Sequence, residues 1–205
     1  MLEALDLECQ RGDRTLFKGL SFRLEAGQCL LVQGANGAGK TSLLRMLCGL
    51  MPPAAGEIRW QGEPLKRVAD DYRRTLLYCG HLNAVKEELT AEENVVAAAA
   101  LAGRPVPRSA ARRALREAGL KGREELPVRV LSQGQKRRVS LARLLLDDTR
   151  LWVLDEPLTA LDVHAVQWLA GVIDAHLARG GLAVLTSHQE VPLASGAVRS
   201  LRIGP

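Results

Sequence analysis

The sequence predicts an α/β fold with a mainly parallel sheet, an N-terminal antiparallel β part and an inserted helical lobe. Short apolar runs alternate with helical segments, and alternating β and α elements are typical of a parallel sheet. A stretch rich in Ala, Leu, Arg and Glu at residues 83–130 interrupts this alternation and indicates the helical lobe. We therefore expect one domain over residues 1–205, with a core formed by residues 1–82 and 131–205.

The first sixty residues are typical of strands and turns. Leu5, Leu7 and Cys9 alternate with polar residues, and a second alternating run follows at residues 20–24. Another short strand is expected at residues 57–60. We assign these runs to the antiparallel part of the fold.

The core elements are predicted from apolar runs and helical spacing. Residues 29–32 predict a strand that is covered on both faces, and a helix is expected from about residue 40 to residue 50. Residues 151–154 and 182–185 predict two more strands, with a helix at residues 163–178 between them. These elements are expected to form the mainly parallel sheet and its helices.

Composition and hydropathy restrict the class of protein. Hydrophobic residues make up 47% of the 205 residues and charged residues 25%, which is typical of a globular protein. The longest apolar run, residues 95–102, is eight residues long, whereas a membrane-spanning helix needs about 20. The N-terminal residues do not resemble a secretory signal, so we expect the protein to stay in the cytoplasm.

Charge, cysteines and histidines add further limits. The net charge of +5 permits acidic partners such as nucleotides, nucleic acid or an anionic membrane surface. Aromatic residues make up only 3%, which leaves few platforms on which single-stranded nucleic acid could stack. The four cysteines form no C-x-x-C pair, so we expect reduced, buried thiols rather than disulfides or a zinc site. His164 and His176 are predicted to lie on a helix surface.

Residues 34–41 match the phosphate-binding pattern G-x-x-x-x-G-K-[ST] in full, with a predicted strand before them and a helix after them. Glycines let the backbone wrap around phosphates, and the helix N-terminus faces the same anion. Lys40 places a positive charge at the β- and γ-phosphates, and the Thr41 hydroxyl can ligate Mg²⁺. The predicted nucleotide-binding residues of this segment are Gly34, Ala35, Asn36, Gly37, Ala38, Gly39, Lys40, Thr41 and Ser42.

The second part of the site is expected where the strand at residues 151–154 ends in Asp155 and Glu156. Asp155 can hold Mg²⁺ through water, because Mg²⁺ keeps several of its waters. Glu156 is placed to orient or deprotonate an attacking water. Alone, two acids after a strand often only begin a surface turn. Together with the phosphate loop they predict a metal-binding and a catalytic residue.

Three further segments narrow the class. Residues 131–135 (LSQGQ) precede a helix with apolar periodicity, residues 158–162 (LTALD) follow the acidic pair, and residues 186–188 (TSH) end the next strand. Over essentially the whole chain, this order resembles the ATP-binding cassette (ABC) family of transporter ATPases. The resemblance implies a P-loop nucleotide-binding domain of ABC type, with ATP and Mg²⁺ as its cofactors.

The resemblance also implies roles for single residues. Members of this family form head-to-tail dimers, so Ser132, Gly134 and Gln135 of one subunit would contact ATP held by the other. His188 would contact the γ-phosphate as a catalytic residue, and Asp162 would lie at the dimer interface. Structural alternatives remain open, since Ser132 could cap a helix and Asp162 could end a turn.

The chain departs from the family pattern at two places. Family members usually carry a glutamine shortly before the helical lobe, whereas residues 78–83 contain none. Either His81 or Asn83 substitutes for it, or the contact is missing. Many members stack adenine on an aromatic residue near the N-terminus, where this chain has Arg11. A guanidinium plane can stack on a base, so Arg11 is a predicted nucleotide-binding residue.

Within the family, the motifs most resemble the ATP-binding subunits of haem-exporter-type complexes of cytochrome c maturation. This implies integral membrane permease subunits that dock around residues 80–93. It places the protein as a peripheral subunit on the cytoplasmic face of the inner membrane. Another small ABC exporter is the alternative. A soluble ABC ATPase acting on nucleic acid is favoured only by the basic charge, because its usual tandem cassettes and zinc modules are absent, and we expect no nucleic-acid partner.

Overall fold

The structure is a computed structural model, and it describes residues 1–193 and 198–204. It divides into two compact units. The first comprises Met1–Tyr78, Thr149–Glu156 and Ile173–Pro205, and the second comprises Cys79–Asp148 and Pro157–Val172. Over the described ranges, no helix is long and apolar enough to cross a lipid bilayer.

Strands and helices alternate along most of the chain. The strands are β1 (Leu2–Arg11), β2 (Arg14–Leu24), β3 (Cys29–Gln33), β4 (Ala55–Trp60), β5 (Glu63–Pro64), β6 (Leu76–Cys79), β7 (Leu151–Leu154), β8 (Leu182–Thr186) and β9 (Val198–Arg202). The helices are α1 (Lys40–Leu47), α2 (Ala69–Arg74), α3 (Ala91–Leu101), α4 (Arg108–Leu115), α5 (Gln133–Ala142) and α6 (Val163–Ala178). A π-helical turn occupies Arg116–Leu120, and 3₁₀ turns occupy Val128–Val130 and Arg143–Leu146.

The antiparallel part of the first unit is a four-stranded sheet with the order β2-β1-β4-β5. Leu2 of β1 pairs with Leu24 of β2 on one side and with Trp60 of β4 on the other. All three side chains are buried. The N-terminal β part is therefore antiparallel, as the sequence predicts.

The predicted alternation in β1 is only partly correct. Leu7 and Cys9 are buried, but Leu5 is 38% exposed and Ala4 is buried in its stead. Asp6 has a positive φ of 48°, and the pairing register shifts between Ala4 and Leu7. Because a bulge of this kind changes the face on which the following side chains lie, the simple period of two is wrong for Leu5.

The second sheet of the first unit has five strands in the order β6-β7-β8-β3-β9. Strand β8 pairs in parallel with β7 and β3, and β3 pairs in parallel with β9. Every residue of β7 and β8 is buried, and β3 exposes only Gln33, which confirms strands covered on both faces. Since parallel strands end at one edge, residues 34–41, 155–156 and 186–188 are delivered to the same edge.

One apolar core joins both sheets of the first unit to α1 and α2. Leu43, Leu44 and Leu47 of α1 are fully buried in it. Tyr72 of α2 donates its hydroxyl to the Leu47 carbonyl at 2.6 Å and meets the ring of Trp60 edge-on at 5.3 Å. This packing holds α1, whose first residue is Lys40, against the sheets.

Helix α1 ends at Leu47 rather than at the predicted residue 50. The Leu50 amide donates to the Arg45 carbonyl at 2.9 Å, and the Gly49 amide donates to Met46 at 2.9 Å. These two bonds, with Gly49 at a positive φ of 67°, close the helix in a Schellman motif. The last carbonyls of α1 are therefore satisfied by the turn that follows it.

The second unit has its own apolar core. Helices α3 and α4 confirm the helical character predicted for residues 83–130, and α5 packs with them. The composition of the sequence predicts a lobe that ends at residue 130, but Leu131, Val139 and Ala142 are buried in the same core. The compact unit therefore includes the helix that follows the LSQGQ segment.

The surface position predicted for His164 is correct, but that for His176 is wrong. His176 is 3% exposed and stacks on Trp152, with ring centroids 3.8 Å apart and planes 6° from parallel. Its Nε2 lies 3.1 Å from the Leu182 carbonyl oxygen. The last turn of α6 thus faces the strands of the first unit, and a polar ring is accommodated there by one acceptor and one stacking partner.

Candidate functional site

The phosphate loop, residues 34–39, connects β3 to α1. Lys40 is only 9% exposed, and its Nζ donates to the Gly34 carbonyl at 2.8 Å and lies 3.4 Å from the Ala35 carbonyl oxygen. Gly39 has a φ of 103°, and a Cβ on it would lie 3.1 Å from the ring of Phe17. A larger residue would be strained in this conformation and crowded by β2, so glycine is required.

The other residues of the loop differ in exposure. Ala35, Asn36 and Gly37 are exposed, whereas Ala38 is buried. Ser42 is half-buried, and its hydroxyl hydrogen-bonds the Cys9 thiol, whose pKa is raised by burial. The exposed part of the loop therefore has its backbone accessible to a phosphate, while Ser42 contacts β1.

The predicted metal-binding residues meet at the tip of β7. The Thr41 hydroxyl donates to Asp155 Oδ2 at 2.9 Å, and Asp155 is 1% exposed. The hydroxyl of Thr186, at the end of β8, donates to Asp155 Oδ1 at 2.8 Å. The same Thr186 oxygen accepts the Glu156 amide at 2.8 Å. The two oxygens of the Asp155 carboxylate are thus held by different elements, one by Thr41 of α1 and the other by Thr186 of β8.

The predicted catalytic residues also lie together. His188 Nε2 is 3.4 Å from Glu156 Oε1 and 3.4 Å from Lys40 Nζ. This nitrogen can accept from Lys40 or donate to Glu156, depending on its protonation. Glu156 has a positive φ of 49°, which is uncommon for a residue other than glycine and is found at functional sites. The ring thus stands between a cation and a carboxylate.

The side chains present fit Mg²⁺. The Thr41 hydroxyl and the Asp155 carboxylate are hard oxygen donors 2.9 Å apart. In the described part of the chain, no group of three His, Cys, Asp or Glu residues could hold a metal alone. Mg²⁺ is usually bound by one or two carboxylates, with waters and substrate phosphates as the remaining ligands, so this small donor set suits it.

The LSQGQ segment belongs to the second unit. Ser132 caps α5: its hydroxyl accepts the Gln135 amide at 3.2 Å, and Gln135 Oε1 accepts the Ser132 amide at 2.9 Å. Ser132 is therefore a helix N-cap with an exposed side chain, and its contact with ATP across a dimer interface stays a prediction. A Cβ on Gly134 would lie 2.5 Å from the Ala160 carbonyl oxygen, which explains the glycine there.

Asp162 directly precedes α6 in the same unit. Its Oδ1 accepts the Ala165 amide at 2.8 Å, and Oδ2 accepts from the Arg138 guanidinium. The Ala165 amide, with Arg138 nearby, lowers the pKa of Asp162. The carboxylate therefore caps a helix, and its role at a dimer interface stays a prediction.

The two departures from the family pattern lie on exposed segments. His81 is exposed, and Asn83 is half-buried with its Oδ1 3.4 Å from Arg137 Nη1. Arg11 is exposed at the end of β1, where the hairpin register pairs it with Arg14. Arg11 is therefore accessible to a ligand, while Asn83 contacts α5.

Two residues that contact the site or the segments next to it were not predicted from the sequence. Thr186 bridges Asp155 and the Glu156 amide, and a polar residue ending an apolar strand was its sequence signal. Arg137 is 2% exposed. It lies four residues before Leu141 and seven before Leu144, so it falls on the apolar face of α5. A cation at such a position indicates a buried polar contact.

The chain is similar in sequence to known proteins. The ABC transporter family model matches residues 17–159. The cytochrome c biogenesis ATP-binding export protein CcmA of Dechloromonas aromatica is 60% identical over 204 residues, which cover 100% of both chains.

Solved structures show the same fold. An ABC transporter ATP-binding protein from Pyrococcus furiosus is 27% identical, with a TM-score of 0.84 over 98% of this chain and 96% of that one. A dimeric ATP-binding cassette in a post-hydrolysis state, bound to ADP and Pi, is 21% identical. Its TM-score is 0.83 over 100% of this chain and 97% of that one, a likeness of fold alone.

Proposed function

Because this chain belongs to the ABC transporter family, we propose that it is the ATP-hydrolysing subunit of a haem-exporter-type complex of cytochrome c maturation. Membership confirms the resemblance seen in the motifs, and ATP-binding proteins of this family are ATPases coupled to transport. The observation that carries the proposed site is the contact set of Lys40, Thr41, Asp155, Glu156 and His188. The relative of 60% identity supports the assignment to cytochrome c biogenesis.

The proposed mechanism follows from these contacts. Lys40 holds the β- and γ-phosphates against the exposed backbone of the phosphate loop. Thr41 and Asp155 would hold Mg²⁺, which would offset negative charge on the phosphate oxygens. Glu156 accepts a proton from the attacking water as the water oxygen bonds to the γ-phosphorus. The bond from that phosphorus to the bridging oxygen breaks, and ADP and phosphate leave, with His188 orienting the γ-phosphate.

A second copy of the chain completes the proposed site. Ser132, Gly134 and Gln135 of the partner would face the γ-phosphate, because α5 begins there and an α-helix N-terminus favours an anion. Ser132 is exposed, which supports this contact. Asp162 of each copy would lie at the same interface, and Arg11 would stack on the adenine. Two Mg-ATP molecules would thus be bound between head-to-tail subunits.

The proposed partners are integral membrane permease subunits. The word "export" in the relative's name supports a membrane partner. The chain would then lie peripherally on the cytoplasmic face of the inner membrane. The docking segment would be residues 80–93, where Leu82 is 80% exposed. ATP binding would close the dimer, and hydrolysis would reopen it.

A pull-down from native membranes tests the proposed function. Tagged Glu156→Gln protein is incubated with ATP, or without nucleotide as the control, and the captured proteins are identified by mass spectrometry. We expect multi-span subunits of cytochrome c maturation to be enriched by ATP. A different permease would retain the transporter class and replace the haem-related assignment with another small exporter. Soluble nucleic-acid or ribosomal proteins alone would overturn the transport function.

A further inference from the structure

Helix α5 links the LSQGQ segment to two other segments of the second unit through three consecutive basic residues. Lys136 Nζ contacts Glu87 Oε1 at 2.5 Å, and the Arg138 guanidinium contacts Asp162. Arg137 lies between them and is the most buried of the three, with 2% exposure against 8% for Lys136. The helix that begins at Ser132 is therefore fixed to residues 80–87 and to residues 157–162 of the same unit.

The contacts of Arg137 are made from different edges of its guanidinium. Nη1 donates to the Gly80 carbonyl at 3.0 Å and lies 3.4 Å from Asn83 Oδ1. Nε lies 3.3 Å from the Pro157 carbonyl oxygen on the other side. Burying a cation is costly unless its donors are used, so each of these acceptors contributes to keeping Arg137 inside.

These acceptors lie in two segments that are close in sequence to proposed parts of the hydrolytic site. Gly80 and Asn83 lie in the loop that lacks the glutamine of the family pattern. Pro157 directly follows Glu156 in the sequence, and Glu156 has the uncommon φ of 49°. A hydrogen bond to the Pro157 carbonyl therefore restrains the chain immediately after the proposed catalytic carboxylate.

We propose that Arg137 is a positioning residue for ATP hydrolysis, which ties the loop at residues 80–83 and the backbone after Glu156 to the helix of the LSQGQ segment. It touches no substrate. Because Arg137 bonds both segments, a movement of the loop at residues 80–83 would also move the backbone at Pro157 and helix α5. The inference rests on the proposed function, because it assigns a role in the same hydrolytic site.

The geometry requires arginine rather than lysine at this position. The guanidinium is planar and presents Nε–H and Nη–H donors in different directions. A lysine ammonium is a single point on a flexible stem, so it can reach the loop or the Pro157 carbonyl. Arg137→Lys thus keeps the charge and removes the bridge. Arg113→Gln, on the exposed side of α4, is the matched control for Arg137→Gln.

Hydrogen exchange read by mass spectrometry tests the bridge in the full-length protein. We expect Arg137→Gln and Arg137→Lys to speed hydrogen exchange in peptides that cover residues 79–84 and 157–162. Exchange in residues 34–41 should stay unchanged. Arg113→Gln should leave all three regions unchanged. Wild-type exchange at residues 79–84 and 157–162 in both Arg137 variants would overturn the proposal. This readout needs no membrane partner, so its outcome is independent of the pull-down.

Kinetics separate positioning from a purely structural role. We expect the kcat for ATP to fall about tenfold or more per folded molecule in Arg137→Lys, because small misplacements of catalytic groups are costly. The Kd for a non-hydrolysable ATP analogue should stay within about twofold. Faster exchange with an unchanged kcat would overturn the positioning role. If Arg137→Gln fails to fold, Asn83→Ala removes one acceptor instead, and its effect on kcat should not add to that of Arg137→Lys.

Discussion

The Thr41 hydroxyl donates to Asp155 Oδ2 at 2.9 Å, although 114 residues separate the two in the sequence. Thr41 follows β3 and Asp155 follows β7, and β8 lies between these strands in the sheet. The contact thus depends on the strand order of the parallel sheet. It brings the phosphate-binding half and the acidic half of the site together.

Lys40→Ala should weaken nucleotide binding itself. The ammonium is nearly buried over the loop, and a hydrogen bond to a charged group contributes about 1.5–3 kcal/mol. We therefore expect the Kd for a fluorescent ATP analogue to rise about 10–100-fold. Lys18→Ala, with a side chain that is 76% exposed on β2, is the matched control and should bind normally. An unchanged Kd in Lys40→Ala would contradict the phosphate-loop assignment.

Thr186→Val should impair both stability and turnover. Valine keeps the shape of the side chain and removes the hydroxyl, which donates to Asp155 and accepts the Glu156 amide. We expect a loss of about 1–3 kcal/mol in the free energy of unfolding by urea, together with a lower kcat. Thr75→Val removes a hydroxyl that bonds to the Tyr72 carbonyl, so it should lower stability without changing kcat. Equal kcat values in both variants would remove Thr186 from the site.

Gly134→Ala should disturb the start of α5. The new Cβ would lie 2.5 Å from the Ala160 carbonyl oxygen, so the segment at residues 158–162 must shift. Such overpacking typically costs about 1–3 kcal/mol in the free energy of unfolding. Gly171→Ala in α6 has open space, and we expect it to stabilise the protein by about 0.5–1 kcal/mol. Thermal melts compare the two, and a Gly134→Ala variant as stable as wild type would contradict the close approach of Ala160 to α5.

The thiols of Cys29 and Cys48 should be inert in the folded protein. Burial raises the pKa of each thiol to about 12, with Asp174 adding to the effect at Cys29 and Asp155 at Cys48. We expect no reaction of either with a thiol reagent at about pH 8, and reaction of both in urea, because the thiolate is the nucleophile. Rapid labelling of the native protein at either cysteine would contradict this burial.

The same pKa shifts give a dependence of stability on pH. The unfolded thiols lose their protons near the ordinary pKa of 9.0, whereas the folded ones keep theirs up to about 12. The native state therefore binds more protons between these values, and stability falls as pH rises through this range. Their contribution is complete below about pH 9. Urea titrations at a series of alkaline pH values measure how steeply the free energy of unfolding falls with pH. Cys29→Ala serves as the comparison.

The sequence predicted the buried strands and the phosphate site well, because both leave local signals. Strand β7 and helix α6 have the predicted bounds, since apolar runs and helical spacing end there at polar or small residues. The pattern could not predict that Leu5 is exposed, because a bulge at Asp6 is set by pairing with neighbouring strands. It also missed the burial of His176, which depends on the distant ring of Trp152.

Among the site residues, too, those with a local sequence signal were predicted, and those that depend on distant contacts were not. Lys40, Thr41, Asp155, Glu156 and His188 were found through motifs and lie in contact in the first unit. The residues that hold the segments in place are harder to find, because their partners are backbone carbonyls and amides. A carbonyl acceptor such as that of Pro157 has no signature in a sequence, so no spacing could reveal it.

The rate of ATP hydrolysis by Glu156→Gln tests the central claim most directly. Glutamine keeps the size of the side chain and cannot accept the proton of the attacking water. We expect ATP to bind as in the wild type and kcat to fall about 10²–10⁴-fold, the usual contribution of a general base. Glu117→Gln, an exposed carboxylate in the π-helical turn, should hydrolyse ATP like the wild type. Hydrolysis by Glu156→Gln at the wild-type rate would contradict the account.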